Sequence, residues 1–159
     1  MKDITYIRTA EGWLYLAVVL DVFTRQVIGW SMQPRLGREV VPQAVLIAVW
    51  QRTSSETLSL HSDRMTQYTA QKFQAFLKTQ GIVSTTSGVG NCYDNAVAES
   101  FFGLLKRERV HRRHYRTRAE ARTDIFHYIE RFYNRQRRHS YSKGLAPGVY
   151  AQQISETLN

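Results

Sequence analysis

Three carboxylates stand where secondary-structure elements begin or end, and carboxylates so placed can hold divalent cations. Asp3 lies in a short β-prone stretch, Asp63 directly follows an apolar strand that ends near His61, and Glu99 falls in the first turns of a helix behind a glycine-bearing loop. Hard divalent ions take oxygen ligands. Two such ions, about 3.5 to 4 Å apart, activate an attacking oxygen and stabilise a leaving one in phosphoryl transfer, and little covalent chemistry is asked of the protein. Asp63 and Glu99 are separated by 35 residues. That is room for a strand, helix, strand and loop to bring the chain back to the same sheet edge. Spacing by itself leaves two readings open, a metal site and carboxylates scattered by chance.

Other polar residues have simpler readings. Asp21 sits in a hairpin turn and is expected to cap it, and Asp94 is expected to be a helix N-cap. A histidine at a strand end, such as His61, is more often hydrogen-bonded structure than chemistry. His111, His114, His127 and His139 lack cysteine partners for zinc and are expected on the phosphate-facing surface of a basic segment. Cys92 is the single cysteine. It falls in loop composition without a base partner, reads as inert, excludes a disulfide framework and fits a reducing, cytoplasmic compartment.

The elements that must position the carboxylates can be read from periodicity. Ile4 to Ile7 is a short strand, Trp13 to Leu20 is apolar on both faces and so a central strand, and Asp21 to Gln26 turns the chain into a return strand, Val27 to Met32, stopped by Pro34. Val40 to Trp50 has a helical stripe of Val41, Ala44, Val45 and Ala48. Leu58 to His61 is a brief strand, Ala70 to Gln80 a helix with Phe73, Phe76 and Leu77 inward and Gly81 as left-handed cap, and Ile82 to Thr85 another strand. A helix from near Asp94 to about Val110 buries Val97, Ala98, Phe101, Phe102, Leu104 and Leu105, with Asn95, Glu99, Gly103 and Lys106 on the border of that arc. Thr117 to Glu120 is a capping box opening a second long helix, with Ala121, Ile125, Ile129 and Phe132 inward, that ends near Asn134 to Arg138. A last short helix runs from Leu145–Pro147 through Tyr150. The order of elements predicts an α/β fold, a mixed sheet of three antiparallel strands plus parallel strands flanked by helices with extra C-terminal helices, and this resembles a ribonuclease H-like arrangement. At 159 residues this is one domain.

Charge points to a polyanionic partner. Residues 106–143 hold 13 basic and 4 acidic residues, and therefore the whole formal net charge of +9. Tyr115, Phe126, Tyr128, Phe132 and Tyr133 are interleaved with them. Such a segment neutralises phosphates and releases their counterions, so nucleic acid is the expected partner, over the alternative of a solvated helix face. A membrane is not expected: the longest apolar run, Trp13 to Leu20, is far short of the about 20 residues that span a bilayer, and no secretory signal opens the chain.

Several segments carry a resemblance. Asp3-Ile4-Thr5-Tyr6-Ile7, Gly12 to Asp21, His61-Ser62-Asp63-Arg64, Gly90 to Ala96 and Ala98-Glu99-Ser100-Phe101-Phe102 resemble the integrase core of bacterial insertion-sequence transposases. Tyr128-Ile129-Glu130, Phe132-Tyr133-Asn134, Arg138-His139-Ser140 and Ala146-Pro147 resemble that family's C-terminal helices, so nearly the whole chain is covered. The family is similar to the retroviral integrases and uses an Asp, Asp, Glu triad.

The resemblance implies that Asp3, Asp63 and Glu99 are that triad, catalytic and metal-binding together, with two Mg2+ (or Mn2+) ions. It implies cleavage and strand transfer of transposon-end DNA, with a homodimer or higher assembly and an upstream DNA-binding subunit or region as partners, in the bacterial cytoplasm at the nucleoid. The expected DNA contacts are Arg64, Asn95, Lys106, Arg107, Arg135, Arg137 and Arg138. A catalytically inactive remnant that only binds DNA is the rival reading, and a ribonuclease acting on hybrids a third. Three departures from the family bear on activity: Met65 stands where a turn glycine is usual, Ser87-Gly88-Val89 carries no basic residue, and the chain starts two residues before Asp3, as a core lacking the upstream region would.

Overall fold

The computed structural model describes residues 1–51, 58–61, 67–85 and 92–158. Three strands, β1 (Lys2–Thr9), β2 (Gly12–Leu20) and β3 (Val27–Gln33), form an antiparallel sheet in that order. β1 is longer than its apolar stretch because every residue from Lys2, opposite Val19, to Thr9, opposite Gly12, finds a partner on β2. Alternation along β2 sends Leu14, Leu16, Val18 and Leu20 into one core and Ala17 and Val19 into another. A strand buried on both faces reads as a continuous apolar run, as this one does.

The helix α1 (Val40–Trp50) covers the Ala17/Val19 face with Val40, Val41, Ala44, Val45 and Ala48 buried. It lies so close to β3 that a Cβ on Gly29 would meet the carbonyl oxygen of Ala44 at 2.2 Å. Only glycine admits that approach. β4 (Leu58–His61) and β5 (Ile82–Thr85) pair in parallel, joined by α2 (Gln67–Thr79), and Gly81 turns the chain at φ +67° between helix and strand. Among the described residues these two strands form their own two-stranded sheet. Leu60, Phe73, Leu77 and Ile82 nevertheless share one core with Ala17, Val19 and the α1 stripe.

The opposite face of the antiparallel sheet is covered by α3 (Cys92–Glu108) and α4 (Arg118–His127), which runs on as a π-helical turn, Tyr128–Tyr133. A 3₁₀ turn (Val110–Arg112) separates α3 from α4, and α5 (Pro147–Leu158) ends the described chain. Three expectations are corrected here. Cys92 opens α3 rather than lying in a loop, so Asp94 is its third residue and not its N-cap. α3 stops at Glu108, before Val110. α5 continues well past Tyr150. Phe132 packs on the core as expected but stays half-buried, and Tyr128 and Tyr133 are fully buried beside it. In this wider turn Asn134 N–H donates to Ile129 C=O at 3.1 Å, five residues back, and both Phe132 and Tyr133 meet the core. The expected cap at Thr117 is present, its hydroxyl accepting from Glu120 N–H at 3.1 Å, and Asp21 caps its turn by accepting from Phe23 N–H and Thr24 Oγ1–H, each at 2.9 Å.

Candidate active site and nucleic-acid interface

Asp3 pairs with Val18 across the ladder, and strand alternation puts it on the same sheet face as Ile7 and Val18, the face on which α3 packs. It is half-buried, and its Oδ1 accepts from Ile4 N–H at 2.8 Å. Glu99 is exposed on α3, next to Ala98, which enters that core. One strand and one helix thus bring two of the three carboxylates to the same side of the sheet. Asp63, with Arg64 and Met65, lies outside the described residues. Among the described residues no three His, Cys, Asp or Glu side chains gather as metal ligands. The two carboxylates present are oxygen donors of the kind a hard divalent ion takes.

α3 carries the site toward a basic, aromatic surface. Asn95 lies one turn before Glu99, and Gly103 one turn after it faces open space. Lys106 is half-buried, with its Nζ 5.4 Å from the centre of the Tyr6 ring on β1. Tyr6 meets Trp13 edge to face at 5.1 Å. Arg107 is exposed, and its carbonyl accepts from Arg112 Nε–H at 3.1 Å.

At the end of α3, Glu108 was not singled out by its sequence, yet it is the centre of a polar knot. Arg137 grips it with Nε–H and Nη2–H at 2.7 to 3.0 Å, and the Tyr128 hydroxyl donates to Oε2 at 2.7 Å. Burial alone would raise the Glu108 carboxyl, but the hydrogen bonds of Arg137 and Tyr128 and the charges of Arg137 and Arg107 hold it below the usual carboxylate range. Burial pushes Tyr133 up to about 12. Arg137 is therefore committed within the fold, whereas its neighbours Arg135 and Arg138 are exposed. His139 also differs from expectation. It is half-buried with its ring 5.1 Å from that of Tyr133, and burial together with the charge of Arg137 holds its imidazole below the ordinary value. His111, His114 and His127 are exposed. The signals that marked Arg137 and His139 were composition alone, which cannot tell a paired cation from a free one.

The architecture is that of a retroviral integrase catalytic core. The catalytic core domain of BIV integrase superposes with a TM-score of 0.66 at 18% identity, over 99% of this chain and 97% of that one. The Integrase core domain family model matches residues 2–92, and a second model of the same description matches residues 99–154. The chain belongs to the integrase core domain family. It is 48% identical over 145 residues to Transposase InsF for insertion sequence IS3A of Escherichia coli (strain K12), covering 91% of this chain and 50% of that protein. It is 46% identical over 140 residues to the Transposase for insertion sequence element IS904 of Lactococcus lactis subsp. lactis, covering 88% of this chain and 55% of that protein. The chain spans about half the length of the curated relatives it matches.

Proposed function

We propose that this chain is the catalytic core of an insertion-sequence transposase, which cleaves transposon-end DNA and joins it to a target in a divalent-metal-dependent phosphoryl transfer. The observation that supports it most is the placement of Asp3 on β1 and Glu99 on α3 at one side of the sheet, in a chain of this family. Asp3, Asp63 and Glu99 would hold two Mg2+ or Mn2+ ions. When bound, these ions lower the pKa of the attacking water or 3′-hydroxyl and stabilise charge on the leaving oxygen. The chain's own contribution is to present anionic oxygens from two rigid elements, which limits reorganisation as charge develops. The DNA lies along α3, where Asn95 stands one turn before Glu99 and Lys106 and Arg107 about two turns after it, with Arg64, Arg135 and Arg138 as further phosphate contacts. An additional end-binding region or subunit, and a second copy of the core, complete the working assembly at the nucleoid. Among the described residues no helix is long and apolar enough to cross a membrane.

Asp63→Asn and Glu99→Gln each remove an anionic ligand and keep shape. Both are expected to abolish Mg2+-dependent nicking of transposon-end DNA while DNA binding survives. Nicking at the parental rate by either purified variant refutes the assignment. A parent that binds DNA but never cleaves it with Mg2+ or Mn2+ favours the DNA-binding remnant instead.

A further inference from the structure

We propose that Tyr6 and Trp13, framed by Arg8 and Lys106, form a stacking platform for an unpaired base of the bound DNA, two helical turns from Glu99. This rests on the DNA-binding reading above and adds a base contact to its phosphate contacts.

The platform follows from strand alternation. Ile4, Ala17 and Val19 share one face of the β1–β2 ladder and are covered by the α1 core. Continuing along that face toward the β1–β2 turn, Tyr6 stands opposite Tyr15 and Arg8 opposite Trp13, and the cover ends. Tyr6 is 58% exposed and Trp13 45%. The two large aromatics meet edge to face, at 86° to one another, and still leave about half of their surface in water, whereas most folds bury such area.

The surroundings select the occupant. Lys106 reaches round the β1 edge to lie over Tyr6, and Arg8 is exposed on the same strand. The basic segment is held alongside: Ala10 N–H donates to Tyr115 C=O at 2.9 Å, Thr9 bridges to Tyr115, and Arg118 Nε–H donates to Trp13 C=O at 3.0 Å. Arg112 and Arg116 flank Tyr115 in this segment and are exposed. The nearby carboxylate of Glu11 is occupied by Arg118 N–H at 2.9 Å. Ring faces inside a cationic rim suit a base whose flanking phosphates need neutralising, and stacking accepts any base because each has a π-face. A paired base has both faces covered by its neighbours, so the platform takes a frayed or overhanging nucleotide. Lys106 lies seven residues beyond Glu99, about 10 Å along the helix, so one strand end can touch both.

The test measures affinity of the full chain, by fluorescence anisotropy at fixed salt, for a blunt DNA end, an end with a two-nucleotide overhang, and the same overhang made abasic. Trp13→Ala and Tyr6→Ala are expected to weaken overhang binding about tenfold, with blunt-end binding changed less than about twofold, and Trp13→Phe to retain most of it. The abasic overhang is expected to lose the same factor with the parent. Equal weakening on blunt and overhanging ends, or none on either, overturns the platform while leaving the DNA reading intact. So does a variant whose only change is its oligomeric state, which would make this face a contact between copies. A parent that binds none of the three DNAs overturns both readings. Circular dichroism and melting of the variants are expected to match the parent, since both side chains are exposed beyond the end of the α1 cover.

Discussion

Replacing Arg137 separates a structural cation from a DNA-binding one. Its fork meets Glu108 at 2.7 to 3.0 Å, with the two side chains 21% and 24% exposed. Breaking a fully buried pair from one side costs about 3–5 kcal/mol, because a charge stays behind unpaired. Exposed pairs are worth about 0.2–1 kcal/mol. With about a fifth of each side chain in water, Arg137→Ala is expected to cost about 2 kcal/mol, which lowers Tm by about 4–8 °C in a chain of this size. Glu108→Gln should cost about half as much, since the Tyr128 hydroxyl can still donate to the amide oxygen. The double variant should therefore recover about 1 kcal/mol relative to the sum of the singles, a coupling that thermal or urea unfolding of all four proteins measures. The sign with pH follows from the depressed Glu108 carboxyl. Its contribution is complete above the ordinary carboxylate pKa of 4.5 and is lost as pH falls through the lower folded value. The same variant predicts an unchanged salt dependence of DNA affinity, whereas replacing Arg135 and Arg138 by Ala should flatten the log–log slope by up to ~0.9 for each phosphate contact removed. Coupling under about 0.3 kcal/mol, together with a flattened slope for Arg137→Ala, would refute this account and return Arg137 to the phosphate surface.

His139 is held below its ordinary pKa by burial, the charges of Arg137 and Arg25 also opposing protonation and that of Glu108 favouring it. The unfolded chain thus binds the proton more readily, so stability is complete above pH ~6.5 and falls below it; His139→Gln should flatten this dependence in unfolding measured between pH 5 and 8. Gly29→Ala places a Cβ 2.2 Å from the Ala44 carbonyl oxygen and 2.8 Å from Ala48 Cβ, so α1 must shift; a loss of about 3 kcal/mol is expected, and an unchanged Tm would show that the helix seat is soft. Asn134 is buried and acts as a strand partner, accepting from Val27 N–H at 3.0 Å and donating to Val27 C=O at 2.9 Å. Asn134→Ala leaves both backbone groups unpaired at a cost of about 3 kcal/mol, and faster amide exchange at Val27 is the local readout.

Much of the framework was legible because its signals are local. The central strand β2 declared itself by an apolar run on both faces, α1 by a stripe whose boundaries, Val40 to Trp50, matched the structure, and the Thr117 and Asp21 caps by residue type at fixed offsets. Hydrophobic burial and backbone capping act over a few residues, so a few residues report them. Asp3 and Glu99 were found in the same way, as carboxylates at the margins of elements, although their presence on one side of the sheet required the ladder register and the packing of α3.

What the sequence could not decide were the outcomes of pairing across distance. Periodicity of 3.6 residues placed Phe132 inward, where it packs half-buried on the core, but it did not show that the π turn buries Tyr133 beside it. Among the described residues the parallel strands β4 and β5 share a core with the antiparallel sheet, a contact that periodicity alone does not place. Arg135, Arg137 and Arg138 look alike in a basic run, and only the fold distinguishes Arg137, because Glu108 lies 29 residues away in the chain and 2.7 Å away in space. The exposure of Tyr6 and Trp13 was hidden in strands that read as apolar. Composition and spacing determine which elements form and which charges the chain owns. Which charge is neutralised, and which apolar surface stays open, depends on contacts made by residues distant in sequence, and those exist only once the chain has packed.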